Sequence, residues 1–471
     1  MDNELRRQLI AMGALILAGV VTLCATLLDH AGVSVVVVPV ALIAAIALAR
    51  PTWAMVGLVA VSLAVEMAVP LQTGGGRIGD WDLHYQLARA YAGLSSTVSL
   101  ADLRQRTPLF DALGGGVLVW GHAYWAFQIV SVFLNSLWLW PAQLLLRSLG
   151  ANPRGLVVVG LTPMVIFYSV YTWPWGFVSF FVLTAIWAAL QRGRLAAITV
   201  GVALAGALVT HIGSVGLVAG VALWVVFRGT HWKHAFATGF VGVVAPMACW
   251  AAFTHTVSPS VLWAVSVPAR YAGSLTQWLL SRPVVLASTF WGIPPLGLGT
   301  HLLDALISLF FFSTSAALLP VLLIGRRWPR PPQPATWAII GGVVAGLLLL
   351  PTNTSRSGLA ETVFTADTML IIVAVSRLSD KQSRTLARIT AAIAAVAVAA
   401  LVWRSEILVP GDPNLAYKST QDLEFFVTRF GIVPSVLLGA IGIIVLLRSW
   451  RQGVPRNRIW GGAGRDPSPG I

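Results

Sequence analysis

Two aspartates one residue apart, Asp80 and Asp82, stand in the stretch GGGRIGDWDLHYQLARAYAG (Gly74–Gly93), with His84 and Tyr85 close behind. A carboxylate in a water-poor setting can act as general base, taking the proton of an attacking hydroxyl. Asp80 and His84 are four residues apart and share a face if the segment is helical. Asp80, Asp82 and His84 could hold one divalent metal ion, though nothing requires it, and no other cofactor is implied. The plain alternatives stand beside this reading: an aspartate that only caps a helix start, and a histidine that only meets solvent. The spacing predicts a helix from Asp80, because Leu83, Leu87 and Tyr91 recur at i, i+4 and i+8 as an apolar stripe. Such a helix lies on a membrane surface, with Trp81 and Tyr85 at headgroup level.

Downstream, DLRQRTPLFDALGG (102–115) adds Arg104 and Arg106. A guanidinium matches phosphate oxygens two at a time, and an anionic lipid headgroup attracts exposed arginine equally well. Glu66 interrupts an apolar run. An intramembrane carboxylate is a functional candidate by default, but this one is about one turn from the end of its run and could simply reach water. Cys24 and Cys249 both sit in apolar runs, which argues against a disulfide scaffold, and nothing has metal-ligand spacing.

The surroundings must position these groups. The 471 residues are 57% hydrophobic and 10% charged, with mean hydropathy +0.81. Globular chains carry about 25% charged residues, so a water-soluble fold is excluded. The expectation is all-α: a polytopic transmembrane bundle of about fourteen spans, each needing about 20 apolar residues, with long outer loops carrying short interfacial helices. Candidate spans are 8–28, 33–49, 53–71, 119–146, 156–173, 175–191, 195–210, 213–228, 235–253, 298–324, 336–350, 364–379, 387–403 and 431–447. The net charge of +14 is read as topology and not as nucleic-acid binding, since Lys and Arg gather at alternate connections such as GRRWPRPP (325–332) and RSWRQGVPRNR (448–458). That alternation puts both termini in the cytoplasm. It places Asp80, Asp82, Asp111, Glu361 and the loops 72–118, 254–297 and 404–430 on the outer face of the cell membrane. Loops longer than about 12–15 residues are usually functional or disordered, and these keep aromatic and apolar residues at helical spacing. Residues 1–451 form one membrane domain, and the Gly- and Pro-rich tail, 452–471, reads as disordered.

On these residues the chain resembles the membrane-embedded glycosyltransferases of the GT-C superfamily. The resemblance runs over about 53–228. It is carried by the acidic first outer loop GDWDLHYQLARAY, the helix lead-in RTPLFDALGG, the helix pair LTPMVIFYSVYTWPWGFVSFFVLTAIWAALQRGR (161–194) and the Gly/Ala-rich hairpin RLAAITVGVALAGALVTHIGSVGLVAGVALWVV (194–226). It implies transfer, with inversion, of a sugar from a polyprenyl-phosphate carrier to a hydroxyl on a glycolipid, polysaccharide or protein acceptor at the outer face. Asp80 or Asp82 takes the role of base. Arg104, Arg106 and His211 would steady the leaving phosphate, and Arg356 is the nearest match to a phosphate-binding residue of a late outer loop. His84 and Tyr85 would contact substrate, and Trp81, Tyr85 and Trp173 would stack on sugar faces. Mannose and arabinose are the expected sugars, and membrane lipid is a further partner. The chain departs from the family pattern where Trp81 separates the two aspartates, at YTWPWG (171–176) and at Thr210–His211. Two other readings are a polymerase or ligase of surface polysaccharide, and a flippase or transporter for lipid-linked sugars.

Overall fold

The computed structural model describes residues 2–68, 80–94, 96, 107–118, 124–152, 154–169, 172–227, 231–253, 274, 276–283, 314–324, 334–348, 360–403 and 433–451. Among them the regular structure is helical, with no strand. In chain order the helices are α1 (Asp2–Leu27), α2 (Ser34–Ala49), α3 (Trp53–Ala68), α4 (Asp80–Tyr91), α5 (Leu109–Leu118), α6 (Tyr124–Ser136) and α7 (Leu139–Ser148). They continue with α8 (Gly155–Gly160), α9 (Pro163–Tyr168), α10 (Trp175–Ala189), α11 (Arg194–Thr210), α12 (Val215–Phe227) and α13 (Trp232–Phe253). The later ones are α14 (Thr314–Ile324), α15 (Pro334–Leu348), α16 (Ala360–Ser376), α17 (Asp380–Trp403) and α18 (Val433–Arg451).

Both faces of the peripheral helices are apolar, and this separates the bundle from a soluble one. On α2, Val38, Ala41 and Ala45 are buried while Val36, Val40 and Ile43 point outward. The outward faces of α1 (Ile10, Leu17) and α13 (Phe236, Phe240, Val244) are apolar too. An outward apolar stripe is stable in hydrocarbon and a liability in water. The central helix, α10, is buried along almost its whole length, as expected of a helix that is hydrophobic on every side. It is flanked by α11 and α16.

Among the described residues, four helical stretches are long and apolar enough to cross a membrane, Asp2–Leu27, Ala31–Ala49, Tyr124–Ser148 and Trp232–Phe253, and seven shorter helices are apolar as well. Two expected spans are broken. The span expected at 156–173 is split into α8 and α9 at Thr162–Pro163. Proline has no N–H to give and suits the first turn of a new helix, and the Thr162 hydroxyl caps α9 through the N–H of Val165. The span expected at 119–146 is described from Tyr124 and divides between α6 and α7.

The largest departure from the sequence reading lies in the loop 72–118, whose last ten residues form the buried helix α5. Glycines let it dock closely. A Cβ at Gly115 would lie 2.6 Å from the Ala88 carbonyl oxygen on α4, so only glycine allows that approach. A similar close crossing joins α3 to α18, where a Cβ at Gly57 would lie 2.9 Å from the Gly442 carbonyl oxygen. Small residues at helix contacts are the usual means of tight packing in a bilayer.

Candidate functional site

The α4–α5 pair carries the densest chemistry among the described residues. α4 begins at Asp80, as the spacing predicts, and runs to Tyr91. Every residue from His84 to Ala88 is buried, and so is Tyr91, so burial extends beyond the expected Leu83–Leu87–Tyr91 face. His84, 2% exposed, does not meet solvent. Its Nδ1 lies 2.7 Å from Oδ1 of Asp111, itself fully buried. With Asp111 ionised, Nδ1 donates and the carboxylate accepts. Asp111 sits in the first turn of α5, where the helix dipole favours a negative charge. Phe110 stands edge-on to the imidazole, with centroids 5.8 Å apart at 86°.

The far end of α4 is fixed as firmly. The Thr26 hydroxyl of α1 donates to the Tyr91 carbonyl at 2.5 Å. Trp250 Nε1 of α13 donates to the Tyr91 hydroxyl at 3.1 Å. Leu23, Leu87, Tyr91, Ala112 and Trp250 close into one apolar cluster. Burial holds the Tyr91 hydroxyl well above the ordinary phenol range, and the nearby Asp111 charge acts in the same direction. Beside this cluster, Cys24 Sγ and Cys249 Sγ are 3.5 Å apart as free thiols. Hydropathy cannot reveal that contact between α1 and α13.

Tyr85 is buried against other side chains and is not presented to lipid headgroups. Its ring meets Tyr124 edge-on at 5.1 Å, and the Arg89 guanidinium lies 5.6 Å from its centroid. Trp173 is buried as well, and its carbonyl accepts from Asn135 Nδ2 at 2.6 Å. His211 is buried at the end of α11, where Nδ1 accepts from the Gly213 N–H at 3.2 Å and shapes the turn into α12. That turn packs on α16, which carries the buried Asp367. The backbone of Asp80 and Asp82 forms the first turn of α4. Their side chains, and Arg104, Arg106, Arg356 and the tail 452–471, lie outside the described residues. Among the described residues no group of three or more His, Cys, Asp or Glu gathers into a metal-holding set.

A second polar constellation was not assembled from the sequence. Glu66 of α3 is 1% exposed, so it does not simply reach water. It lines a small pocket together with Ser62, Ser131, Asn135, Ser136 and Ser169. The signal was available on α6, where Tyr124, Gln128, Ser131 and Asn135 fall at i, i+4, i+7 and i+11 and share one face. Asn135 accepts from the Gly176 and Phe177 N–H groups at 3.0 and 3.1 Å and so caps α10.

No protein-family model matches the chain, and neither does any curated protein. Among solved structures it is similar to the arabinosyltransferase EmbB from Mycobacterium smegmatis, solved by single-particle cryo-EM, with 11% identity and a TM-score of 0.38. The match covers 91% of this chain and 45% of that one, so the chain spans about half the length of that protein. A likeness this loose fixes neither the fold nor the activity.

Proposed function

We propose that the protein is a membrane-embedded glycosyltransferase that moves a sugar from a polyprenyl-phosphate carrier to an acceptor hydroxyl at the outer face of the membrane. The observation that carries the reading is the clamp on α4. A buried His84–Asp111 hydrogen bond and the Tyr91 contacts hold an amphipathic helix whose first turn contains Asp80 and Asp82. A base that must meet a reacting hydroxyl needs a rigid support of this kind. In the reaction, Asp80 or Asp82 takes the proton of the acceptor hydroxyl. The acceptor oxygen bonds to the anomeric carbon as the bond from that carbon to the phosphate oxygen breaks, with inversion. The electron pair leaves with the polyprenyl phosphate. Arg104, Arg106, Arg356 and His211 offset the charge gathering there, and the contacts of His84 and Tyr85 give them a positioning role. No step requires a metal ion.

The test is sugar transfer in membranes containing wild type, Asp80→Asn or Asp82→Asn, with polyprenyl-phosphate mannose and polyprenyl-phosphate arabinose as separate donors. The expected result is activity in wild type and a loss of at least about 100-fold in one variant that still folds. Full activity in both variants refutes the assignment of the base. A flippase is the second reading, favoured by the polar pocket around Glu66. It predicts donor translocation with no transfer product.

A further inference from the structure

The pocket around Glu66 is built from α3, α6, the end of α9 and the start of α10. Among the residues that line it, Glu66 alone is ionisable, and no Lys, Arg or His stands opposite. One carboxylate oxygen, Oε1, is buried with no hydrogen-bond partner, while the side chain also bonds to Gln128. A buried carboxylate without a counter-charge is too costly to persist alone. The nearest helix N-terminus offers little relief, because the N–H groups of Gly176 and Phe177 at the start of α10 are taken by Asn135.

Around this carboxylate stand the hydroxyls of Ser62, Ser131, Ser136 and Ser169. Ser169 already bonds to Ser62 at 3.2 Å and to the Val165 carbonyl at 2.8 Å, and Ser131 accepts from Asn135 at 3.2 Å. Each hydroxyl oxygen has two lone pairs, so several acceptors remain once these bonds are made. The pocket has room for about one water-sized guest, far less than a sugar ring needs. Val132 and Trp175 close the pocket on its apolar side, while its polar groups are mostly oxygen donors. Oxygen donors select a hard cation, and a single carboxylate suits a single positive charge, since divalent sites recruit more carboxylates.

We propose that this pocket is a binding site for a monovalent metal cation, with sodium the match in size and ligand chemistry. Glu66 supplies the charge and the serine hydroxyls supply the neutral oxygens. The ion would reach the site along the polar face of α6, past Tyr124, whose hydroxyl lies 3.4 Å from that of Thr172, and then Gln128. The bound ion would join α3, α6 and α9 at one point, adding to the Ser62–Ser169 and Glu66–Gln128 bonds that already link them in pairs. The site stands whether or not the transferase reading does.

The experiment uses the full chain purified in detergent, with thermal unfolding followed in sodium chloride and in choline chloride at equal ionic strength. Sodium should raise the wild-type midpoint along a saturating curve, and choline should not. With sodium at 100 times its Kd, the ratio of folded to unfolded protein should rise about 100-fold. Glu66→Gln should unfold at the same midpoint in both salts, and Ser62→Ala and Ser169→Ala should need more sodium for the same shift. Equal wild-type midpoints in the two salts overturn the proposal, as does an undiminished sodium response in Glu66→Gln. If Glu66→Gln does not fold, the serine variants decide, and unchanged sodium curves in both refute the site. Sugar transfer is not read, so this outcome and that of the transferase test are independent.

Discussion

His84→Ala is the most informative single perturbation of the α4 clamp. The substitution removes the partner of a fully buried carboxylate, Asp111, from a 2.7 Å hydrogen bond. Removing the partner of a buried carboxylate costs about 3–5 kcal/mol, because the charge loses the hydrogen bond that offsets its burial. Asp111→Ala leaves instead an imidazole that can be neutral, and the penalty for an unsatisfied polar group is about 1–3 kcal/mol. The two single changes should therefore be unequal, with His84→Ala the worse. The double variant should cost less than their sum, since it strands neither group. Because α4 is held at both ends, by this bond and by the Tyr91 contacts, the loss should appear as local opening before global unfolding. Hydrogen exchange of the α4 backbone amides reads it directly. At about 1.4 kcal/mol per tenfold, exchange should speed up by about two to three and a half decades in His84→Ala, with α10 amides much less affected. Exchange in α4 within about threefold of wild type would refute the argument.

Two further outcomes follow from the same corner of the bundle. Burial raises the Tyr91 hydroxyl above its ordinary range, so the folded state keeps a proton that the unfolded chain releases near pH 10. This contribution to stability is complete below about pH 10 and is lost at up to about 1.4 kcal/mol per pH unit as pH rises toward the folded value. Alkaline denaturation curves of wild type and Tyr91→Phe should therefore converge above pH 10, and parallel curves would contradict the burial of this phenol. The thiols of Cys24 and Cys249, 3.5 Å apart, should be joined by mild oxidation with copper phenanthroline. Mass spectrometry of the linked peptide checks the juxtaposition of α1 and α13, and two thiols that stay separately alkylated after oxidation would contradict it.

What the sequence makes legible is what one segment can state alone. The ends of α2, α3, α10 and α11 lie within a few residues of the apolar runs read at 33–49, 53–71, 175–191 and 195–210, because hydropathy and helix length are local properties. The start of α4 at Asp80 is local too. The inward turn of His84 is not local, for its reason is Asp111, on a separate helix 27 residues further along the chain. A polar residue looks like a surface residue until its partner is known. The same blindness hid α5, whose short apolar stretch reads as a lead-in to a span and not as a helix of its own, and whose glycines gain meaning only from Ala88 opposite Gly115. Glu66 was visible as an anomaly, but the hydroxyls around it come from other helices. By type Tyr85 reads as interfacial and Trp173 as a ring that stacks on sugar, yet both are buried by rings and amides from distant segments.

The crossing of α3 with α18 sets an order of events during synthesis. α3 leaves the ribosome early and carries Glu66, yet the helix that covers its Gly57 face is made only when residues 433–451 emerge. Until then the Gly442 backbone that fills this narrow groove is missing. The nascent bundle thus holds an open seam through most of its translation, and the late arrival of α18 closes it. A chain cut short before residue 433 would insert its early helices and still present that seam, giving membrane quality-control proteases a physical mark that separates unfinished chains from finished ones.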